Sequence, residues 1–184
     1  RWNDKLFQQY MKEFGLKDNK KIKELSRGMK VKFSIALALS HEPDLLIMDE
    51  PTSGLDPVVR SEILDILYSV IQDENKGIFF STHITSDLDR IADYIIMVND
   101  GEILLNTPKD ELLDQHALVK GSLEVLDTNL KNNFIGIHKN DYGFDALTAN
   151  KKAAAAFSQS GIVIEKPTLE DIMLYYTRKE HSHA

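Results

Sequence analysis

The sequence contains no cysteine, only one tryptophan and no long apolar run, and these absences exclude several classes of protein. Without cysteine there can be no disulfide bond and no thiolate metal site. No apolar run approaches the roughly 18 residues that a membrane-spanning helix needs, and no secretory signal opens the sequence. We therefore expect any membrane role to depend on partner subunits. A hydrophobic content of 42% and a charged content of 28% are ordinary for a globular protein.

The net charge of −7 is unevenly distributed along the chain. Residues 1–33 hold ten Lys and Arg against four Asp and Glu, whereas the remaining residues hold twelve against twenty-five. The basic segment favours contact with an anionic nucleotide or an acidic partner, unless it is simply a solvated helix face. Because few aromatic residues accompany the basic ones in an acidic chain, we expect no nucleic-acid partner.

Residues 45–56 form the most informative stretch of the sequence. The stretch opens with four apolar residues, which are typical of a central parallel strand buried on both faces. Two carboxylates, Asp49 and Glu50, follow at the point where Pro51 stops the strand. Ligands of open α/β sheets bind at the carboxyl ends of strands. The pair therefore suits a Mg²⁺ ligand at Asp49 and a base at Glu50 that polarises water for attack on a phosphate. The alternative is a buried strand that ends in an acidic turn.

Apolar periodicity and turn residues predict alternating helices and strands along the rest of the chain. The predicted helices cover residues 5–14, 27–40, 58–73, 110–115 and 151–157, with a short one capped by Ser86 and Asp89 and a last one capped by Thr168 and Asp171. The predicted strands cover residues 45–50, 78–82, 134–138 and 162–164, with a hairpin at 94–105 around Asn99-Asp100-Gly101. This order is typical of the second half of a P-loop-type α/β layer.

Four short motifs, in this order, resemble those of the ATP-binding subunit of an ABC transporter. They are the signature Leu25-Ser26-Arg27-Gly28-Met29, the Walker B carboxylates Asp49 and Glu50, the D-loop Ser53-Gly54-Leu55-Asp56 and the switch histidine His83. The resemblance is close over residues 1–115 and loose over the remainder. The signature and the Asp-Pro-Val-Val-Arg that starts at Asp56 are most similar to the drug and antibiotic exporter branch.

The resemblance implies the second half of a P-loop (RecA-like) three-layer nucleotide-binding domain followed by a small C-terminal α/β unit. Residues 1–33 would be the remainder of the helical subdomain with the signature. Residues 34–117 would be the C-terminal half of the ATPase core, and residues 118–184 an accessory domain.

Two parts of the family pattern do not occur in the sequence. The first missing part is the Walker A loop, Gly-x-x-x-x-Gly-Lys-Ser/Thr, which holds the phosphates of ATP in this family. The second is the segment with the glutamine switch, which precedes the signature in the family. We therefore expect the chain to be the C-terminal part of a longer subunit, cut by engineering or in nature. We expect it not to bind ATP by itself, and no residue can be assigned to the adenine ring.

The resemblance gives three residues a role in hydrolysis. Glu50 would be the catalytic base, one position beyond Asp49, which would bind Mg²⁺. His83 would sense the γ-phosphate of ATP and position Glu50 with the attacking water. A histidine at a strand end is otherwise more often a surface or core residue.

The resemblance also assigns four residues to nucleotide binding between subunits. Ser26, Arg27 and Gly28, at the start of a helix, would bind the γ-phosphate held by a partner subunit. Arg27 replaces a glycine of the family pattern, and it would either add charge at the phosphate or point to solvent. Asp56 would lie at the dimer interface and couple the two sites, unless it is an ordinary turn aspartate.

The implied function is hydrolysis of MgATP by a head-to-tail pair of ATP-binding subunits that drive transmembrane permease subunits in export. Such a subunit is cytoplasmic and peripheral on the inner face of the cell membrane. One alternative is a non-transport ABC-type ATPase of chromosome maintenance or repair, which residues 5–24 disfavour because they show no sustained heptads. The other is a regulatory module without a P-loop, which a start codon just before Arg1 would favour.

Overall fold

The structure is a computed structural model with a mixed α/β architecture. It describes residues 2–17, 19–126, 128–155 and 161–178. The chain divides by its internal contacts into two compact units, Arg1–Ile91 and Ala92–Ala184. This division differs from the three parts expected from the sequence, which remain a prediction. Within the described ranges, no helix has both the length and the apolar character needed to cross a bilayer.

The first unit combines helices with one pair of parallel strands. Its elements are α1 (Asp4–Glu13), a 3₁₀ turn (Ile22–Glu24), α2 (Arg27–Leu39), β1 (Leu45–Asp49), α3 (Pro57–Val70), β2 (Gly77–Ser81) and α4 (Thr85–Ile91). β1 and β2 run parallel with Asp49 opposite Ser81, so the carboxyl ends of the two strands meet. The predicted helices and strands of this unit are thus confirmed to within a few residues of their ends.

Polar residues fix where the three long helices of the first unit begin. The side chains of Asn3, Ser26 and Asp56 accept hydrogen bonds from backbone N–H groups in the first turns of α1, α2 and α3. Such caps satisfy donors that have no partner within the helix. Gly15, with a φ of +67°, ends α1 in the left-handed region that glycine adopts without strain.

Only one face of the strand pair is covered in the first unit. The buried core of this unit joins the helices to that face of the strands and includes Ile35, Leu46, Ile63 and Leu67. Side chains alternate across a strand, and the opposite face carries Leu45, Ile47 and Phe79, which are 54%, 69% and 54% exposed. The prediction that β1 is buried on both faces is therefore wrong for this structure.

The second unit starts with a hairpin and continues into an antiparallel sheet. Its elements are β3 (Tyr94–Asn99), β4 (Glu102–Pro108), α5 (Lys109–Gln115), β5 (Ala117–Gly121), a 3₁₀ turn (Leu123–Val125), α6 (Thr128–Lys131), β6 (Gly136–Asn140), β7 (Gly143–Thr148), α7 (Lys151–Ala155), β8 (Ile162–Glu165) and α8 (Leu169–Thr177). Asp100 and Gly101 both have positive φ, as a two-residue hairpin turn requires, so the predicted hairpin is confirmed.

The sheet of the second unit has the strand order β6-β7-β5-β8, with all described pairs antiparallel. The sequence predicted β6, β8 and α8, whose Thr168 and Asp171 form the expected capping box. It did not predict the two central strands, β5 and β7, in which Lys120 and Asp145 interrupt the apolar pattern. Residues 156 and 157 of the predicted helix at 151–157 lie outside the described residues.

His116 is a buried histidine at the end of α5, only 3% exposed. Its Nδ1 lies 2.8 Å from the carbonyl oxygen of Leu112, which can only accept, so Nδ1 carries the proton. Its Nε2 therefore accepts from the hydroxyl of Tyr176 in α8, 2.9 Å away. Burial lowers the pKa of His116. The neutral ring thus links two helices of the second unit.

We expect the free energy of unfolding to fall below neutral pH because of His116. Its folded-state pKa is lowered, so the unfolded chain takes up the proton first as the pH falls. The stabilisation is complete above the ordinary histidine pKa of about 6.5 and is lost as the pH falls through the folded pKa. Across this pH window, the free energy of unfolding measured with urea should fall more steeply with decreasing pH in the wild type than in His116→Gln. His138→Gln is the control, because His138 is exposed. Equal slopes in all three proteins would contradict the assignment.

Candidate functional site

Glu50 lies at the end of β1 in a backbone conformation that residues with side chains rarely adopt. Its φ is +47°, and its N–H is shared between the carbonyl oxygen and the hydroxyl of Ser81, both 3.1 Å away. The N–H of Ser53 donates back to the carbonyl oxygen of Glu50 over 3.2 Å and closes the turn. Such strain persists only where neighbouring contacts enforce it, and it is concentrated at functional sites.

The two carboxylate oxygens of Glu50 have different surroundings. Oε1 lies 2.7 Å from Nδ1 of His83, and because a carboxylate only accepts, Nδ1 donates. Oε2 is buried and accepts no hydrogen bond from any described residue. One oxygen is thus held in place, while the other is an acceptor without a donor. A general base that removes a proton from water needs such an acceptor.

Asp49 is oriented by Ser81, which sequence reasoning did not include in the site. The hydroxyl of Ser81 donates to Oδ1 of Asp49 over 2.5 Å, and the two residues face each other across the strand pair. Ser81 therefore contacts both Asp49 and the backbone of Glu50. Its position within the Ser-Thr-His stretch was the available signal, but a strand-end serine alone does not indicate a role.

The donor set at Asp49 is compatible with Mg²⁺ in the presence of phosphates. The described part of the chain contains no group of three or more His, Asp and Glu able to hold a metal alone. Mg²⁺ is usually bound by one or two carboxylates together with waters and substrate phosphates. Asp49, at a strand end beside a hydroxyl, fits that pattern and not that of a metal cage made by protein ligands alone.

The start of α2 contains the predicted signature residues Ser26 and Gly28. Ser26 caps the helix, since its hydroxyl accepts from the N–H of Met29 over 3.2 Å. Gly28 is buried, and a Cβ built on it would lie 2.3 Å from Cγ1 of Val59 in α3. Glycine at this position thus lets α2 approach α3, a packing requirement that the sequence alone did not show.

Arg27 extends toward the D-loop. Gly54 has a φ of +65°, and a Cβ built on it would lie 2.5 Å from Nη1 of Arg27. The guanidinium therefore packs against Gly54, and a side chain at this position would have to displace it as well as adopt a positive φ. Phosphate contact and solvent exposure of Arg27 both remain predictions, and the structure adds Gly54 as a neighbour of its guanidinium.

An open cleft of about 390 Å³ in the first unit brings some of the predicted residues together. Arg27 and Lys30 of α2 line it opposite Asp49 and Glu50, so it carries charges of both signs. Ser26 and Gly28 are not among the described residues that line this cleft. Asp56 also lies apart, and its carboxylate caps α3 through the N–H groups of Val58 and Val59, each 3.1 Å away. Its coupling role remains a prediction.

A buried polar cluster, formed by segments that neighbour Glu50 and His83 in the sequence, was not predicted. Asp87 of α4 is fully buried and accepts hydrogen bonds from Thr52 and Arg60. Ser86, predicted to cap its helix, lies inside α4, and its hydroxyl accepts from Arg60 instead. The hydrogen-bonded pairs of this cluster are 26 to 35 positions apart along the chain, so no local pattern could have connected them.

The geometry defines a class of site. A parallel strand pair ends in adjacent carboxylates, with a histidine from the neighbouring strand bonded to one of them. These side chains lie at the strand ends where open α/β folds bind ligands, as the predicted nucleotide site requires.

Comparisons with known proteins agree with this class. Residues 3–88 match the family model described as AAA domain, putative AbiEii toxin, Type IV TA system. The bacitracin transport ATP-binding protein BcrA of Bacillus licheniformis is 40% identical over 93 residues, which are 50% of this chain and 30% of that protein. An uncharacterized ABC transporter ATP-binding protein of Bacillus subtilis, YdbJ, is 30% identical over 152 residues, 83% of this chain and 44% of that protein.

A solved structure leads to the same family. CbiO1 from Clostridium perfringens, part of the ABC transporter complex CbiONQ, has a TM-score of 0.53 and 30% identity, over 60% of this chain and 45% of that one. The homologues of this chain are therefore ABC transporter ATP-binding proteins, and the resemblance and the α/β fold class predicted from the sequence are confirmed. The chain spans less than half the length of these relatives.

Proposed function

We propose that this chain provides the magnesium-binding carboxylate, the general base and the switch histidine of an ATPase that powers transport across a membrane. The observation that carries the proposal is Glu50. Its strained backbone, its bond to His83 and its buried, unpartnered Oε2 together favour a base prepared to accept a proton from water. The names of the relatives, transport ATP-binding proteins, support the choice of reaction.

Each residue of the site has a part in this chemistry that follows from its contacts. Glu50 takes the proton of the attacking water on Oε2, while His83 holds Oε1 in place. Because Nδ1 of His83 donates to Glu50, Nε2 is the ring atom left to face the γ-phosphate, and it donates to a phosphate oxygen only when both ring nitrogens carry a proton. Asp49, oriented by Ser81, would hold Mg²⁺. When bound, Mg²⁺ supplies positive charge against the β and γ oxygens of ATP.

We infer that the complete assembly contains further parts. A second ATP-binding subunit would pair with this one head to tail. Ser26, Arg27 and Gly28 of this chain would then contact the ATP that the second subunit binds, and Asp56 would lie at the interface. Transmembrane permease subunits would use the cycle for export, with this subunit on the cytoplasmic face of the membrane. The phosphate loop Gly-x-x-x-x-Gly-Lys-Ser/Thr does not occur in these 184 residues, and the proposed ATPase requires one.

We expect the 184-residue chain not to bind MgATP tightly, whereas the complete gene product binds it with micromolar affinity. Charge-assisted hydrogen bonds to phosphate contribute roughly 1.5–3 kcal/mol each, and the chain lacks the loop that makes several of them. Titration calorimetry of both proteins with MgATP measures the difference.

The two proteins test different parts of the proposal. Micromolar binding by the 184-residue chain would show that the phosphate loop is not needed. Failure of the complete gene product to bind MgATP would contradict the proposed function. Sequencing the gene upstream of Arg1 is the matching observation, because a start codon there without a phosphate loop would support the regulatory-module alternative.

A further inference from the structure

A single buried carboxylate joins three segments of the first unit. The side chain of Asp87, in the first turn of α4, is 0% exposed. One oxygen, Oδ2, accepts from the hydroxyl of Thr52. The other, Oδ1, accepts from Nε of Arg60 over 2.7 Å, and Nη2 of Arg60 lies 2.5 Å away. A buried carboxylate is tolerated only when it is paired in this way. We call Thr52, Arg60 and Asp87 the Asp87 junction.

The junction contains residues that closely follow Glu50 and His83 in the sequence. Thr52, 1% exposed, is two positions after Glu50 in the turn that leaves β1. Asp87 is four positions after His83, in the helix that follows β2. Arg60 belongs to the start of α3, the helix that Asp56 caps. The segments that carry Glu50, His83 and the D-loop thus meet at one carboxylate.

The hydrogen bond between Glu50 and His83 needs an anchor of this kind. The side chain of His83 is 70% exposed, so few neighbours restrict it. The backbone of Glu50 is strained, and strained backbone is retained only when the surrounding structure over-determines it. Ser81 fixes the strand ends, but both functional side chains lie beyond them. Among the described residues, the first buried side-chain hydrogen bond after each of them is the one between Thr52 and Asp87.

We propose that Thr52, Arg60 and Asp87 are positioning residues, which hold the Glu50 turn and the His83 segment at the separation that their 2.7 Å hydrogen bond requires. They act through Glu50 and His83 and do not touch the nucleotide. The kinetic consequence rests on the proposed function, whereas the positioning itself is a property of this chain and can be measured without ATP.

The first experiment is NMR of the His83 ring in the 184-residue chain at about pH 8, where an ordinary histidine is neutral. In the wild type, the bond to Glu50 should keep the proton on Nδ1. Thr52→Val, which keeps the shape and removes the hydroxyl, should shift His83 toward a mixture of tautomers, and Thr52→Ser should restore the wild-type spectrum. Thr148→Val is the matched control, since Thr148 is also 1% exposed but lies in the second unit.

Two outcomes of this experiment would overturn the proposal. One is a folded Thr52→Val chain with an unchanged His83 spectrum. The other applies if Thr52→Val does not fold. Arg60→Lys, which keeps the charge of a partly exposed residue, should then shift the His83 ring toward a mixture of tautomers. An unchanged His83 spectrum in Arg60→Lys would contradict the proposal.

The second experiment measures ATPase kinetics of the complete gene product. Thr52→Val should lower kcat about tenfold or more with little change in KM, because misplacing a catalytic group acts on the transition state. In a His83→Ala background the same substitution should change kcat less than about twofold, since coupled residues are non-additive. Equal effects in both backgrounds would overturn the proposal. An inactive wild type would contradict the proposed function and leave the NMR result to decide the positioning.

Discussion

Glu50→Gln in the complete gene product is expected to keep ATP binding and nearly stop hydrolysis. The amide preserves the shape of the side chain but cannot accept a proton on the atom that corresponds to Oε2. A general base typically contributes about 10²–10⁴ in rate, which corresponds to about 3–5 kcal/mol of barrier. Steady-state phosphate release and ATP titration of the same protein separate turnover from binding.

Glu74→Gln is the matched control for this prediction. Glu74 is an exposed acid in the loop after α3, in the same unit as Glu50, and the substitution makes the same chemical change. It should leave turnover at the wild-type level. If Glu50→Gln retains wild-type turnover as well, another residue handles the attacking water and the assignment of Oε2 is wrong.

Ser26→Arg in the complete gene product is expected to spare ATP binding by the single subunit and to abolish ATP-dependent dimerisation and turnover. Ser26 starts α2 on an exposed surface and does not line the cleft shared by Asp49 and Glu50. We assign a phosphate at this helix start to a second subunit, as the family resemblance implies, and helix N–H groups and the helix dipole would stabilise it. Size-exclusion chromatography with and without ATP, together with phosphate release, measures both effects.

A variant of α1 separates this effect from the loss of a helix cap. Replacing a capping side chain destabilises a helix by about 1 kcal/mol. Asn3 caps α1 in the same unit, so Asn3→Arg carries the same cap loss and the same added charge and should still dimerise with ATP.

Mixing subunits tests the assignment of Ser26 across the interface. A Ser26→Arg subunit combined with one mutated in the lysine of its phosphate loop should recover about one working site per mixed dimer. If the mixture stays inactive while each mutant still pairs with the wild type, the assignment of Ser26 to the partner's ATP is wrong.

The sequence predicted those features that depend on neighbours along the chain. The run 45–56 gave the strand, its end at Pro51 and the two carboxylates, because apolar runs and proline act locally. The capping box of Thr168 and Asp171 followed from the same local rules. The proximity of His83 to Glu50 came from the family resemblance, and the parallel register of β1 and β2 accounts for it.

The features that were missed depend on contacts between distant segments. Ser81 and Thr52 lie within two residues of His83 and Glu50 in the sequence, but their hydroxyl partners, Asp49 and Asp87, are 32 and 35 residues away. Gly28 was assigned to phosphate by its motif, whereas its closest constraint in the structure is Val59.

The two wrong or missing strand predictions have different physical causes. The prediction that β1 is buried on both faces came from its apolar run. Such a run shows which side chains a strand is able to bury, whereas the exposure of Ile47 depends on which elements pack against that face. Single charged residues in β5 and β7, at Lys120 and Asp145, broke the short pattern on which a strand prediction rests.

The release of inorganic phosphate from ATP by the complete gene product, with and without Mg²⁺, tests the central claim most directly. We expect release that requires Mg²⁺ and that Glu50→Gln lowers at least about 100-fold. The absence of release from a folded, ATP-bound protein, or release that is unaffected by the removal of Mg²⁺ and by Glu50→Gln, would contradict the claim that Asp49 and Glu50 form the catalytic end of an ATPase site.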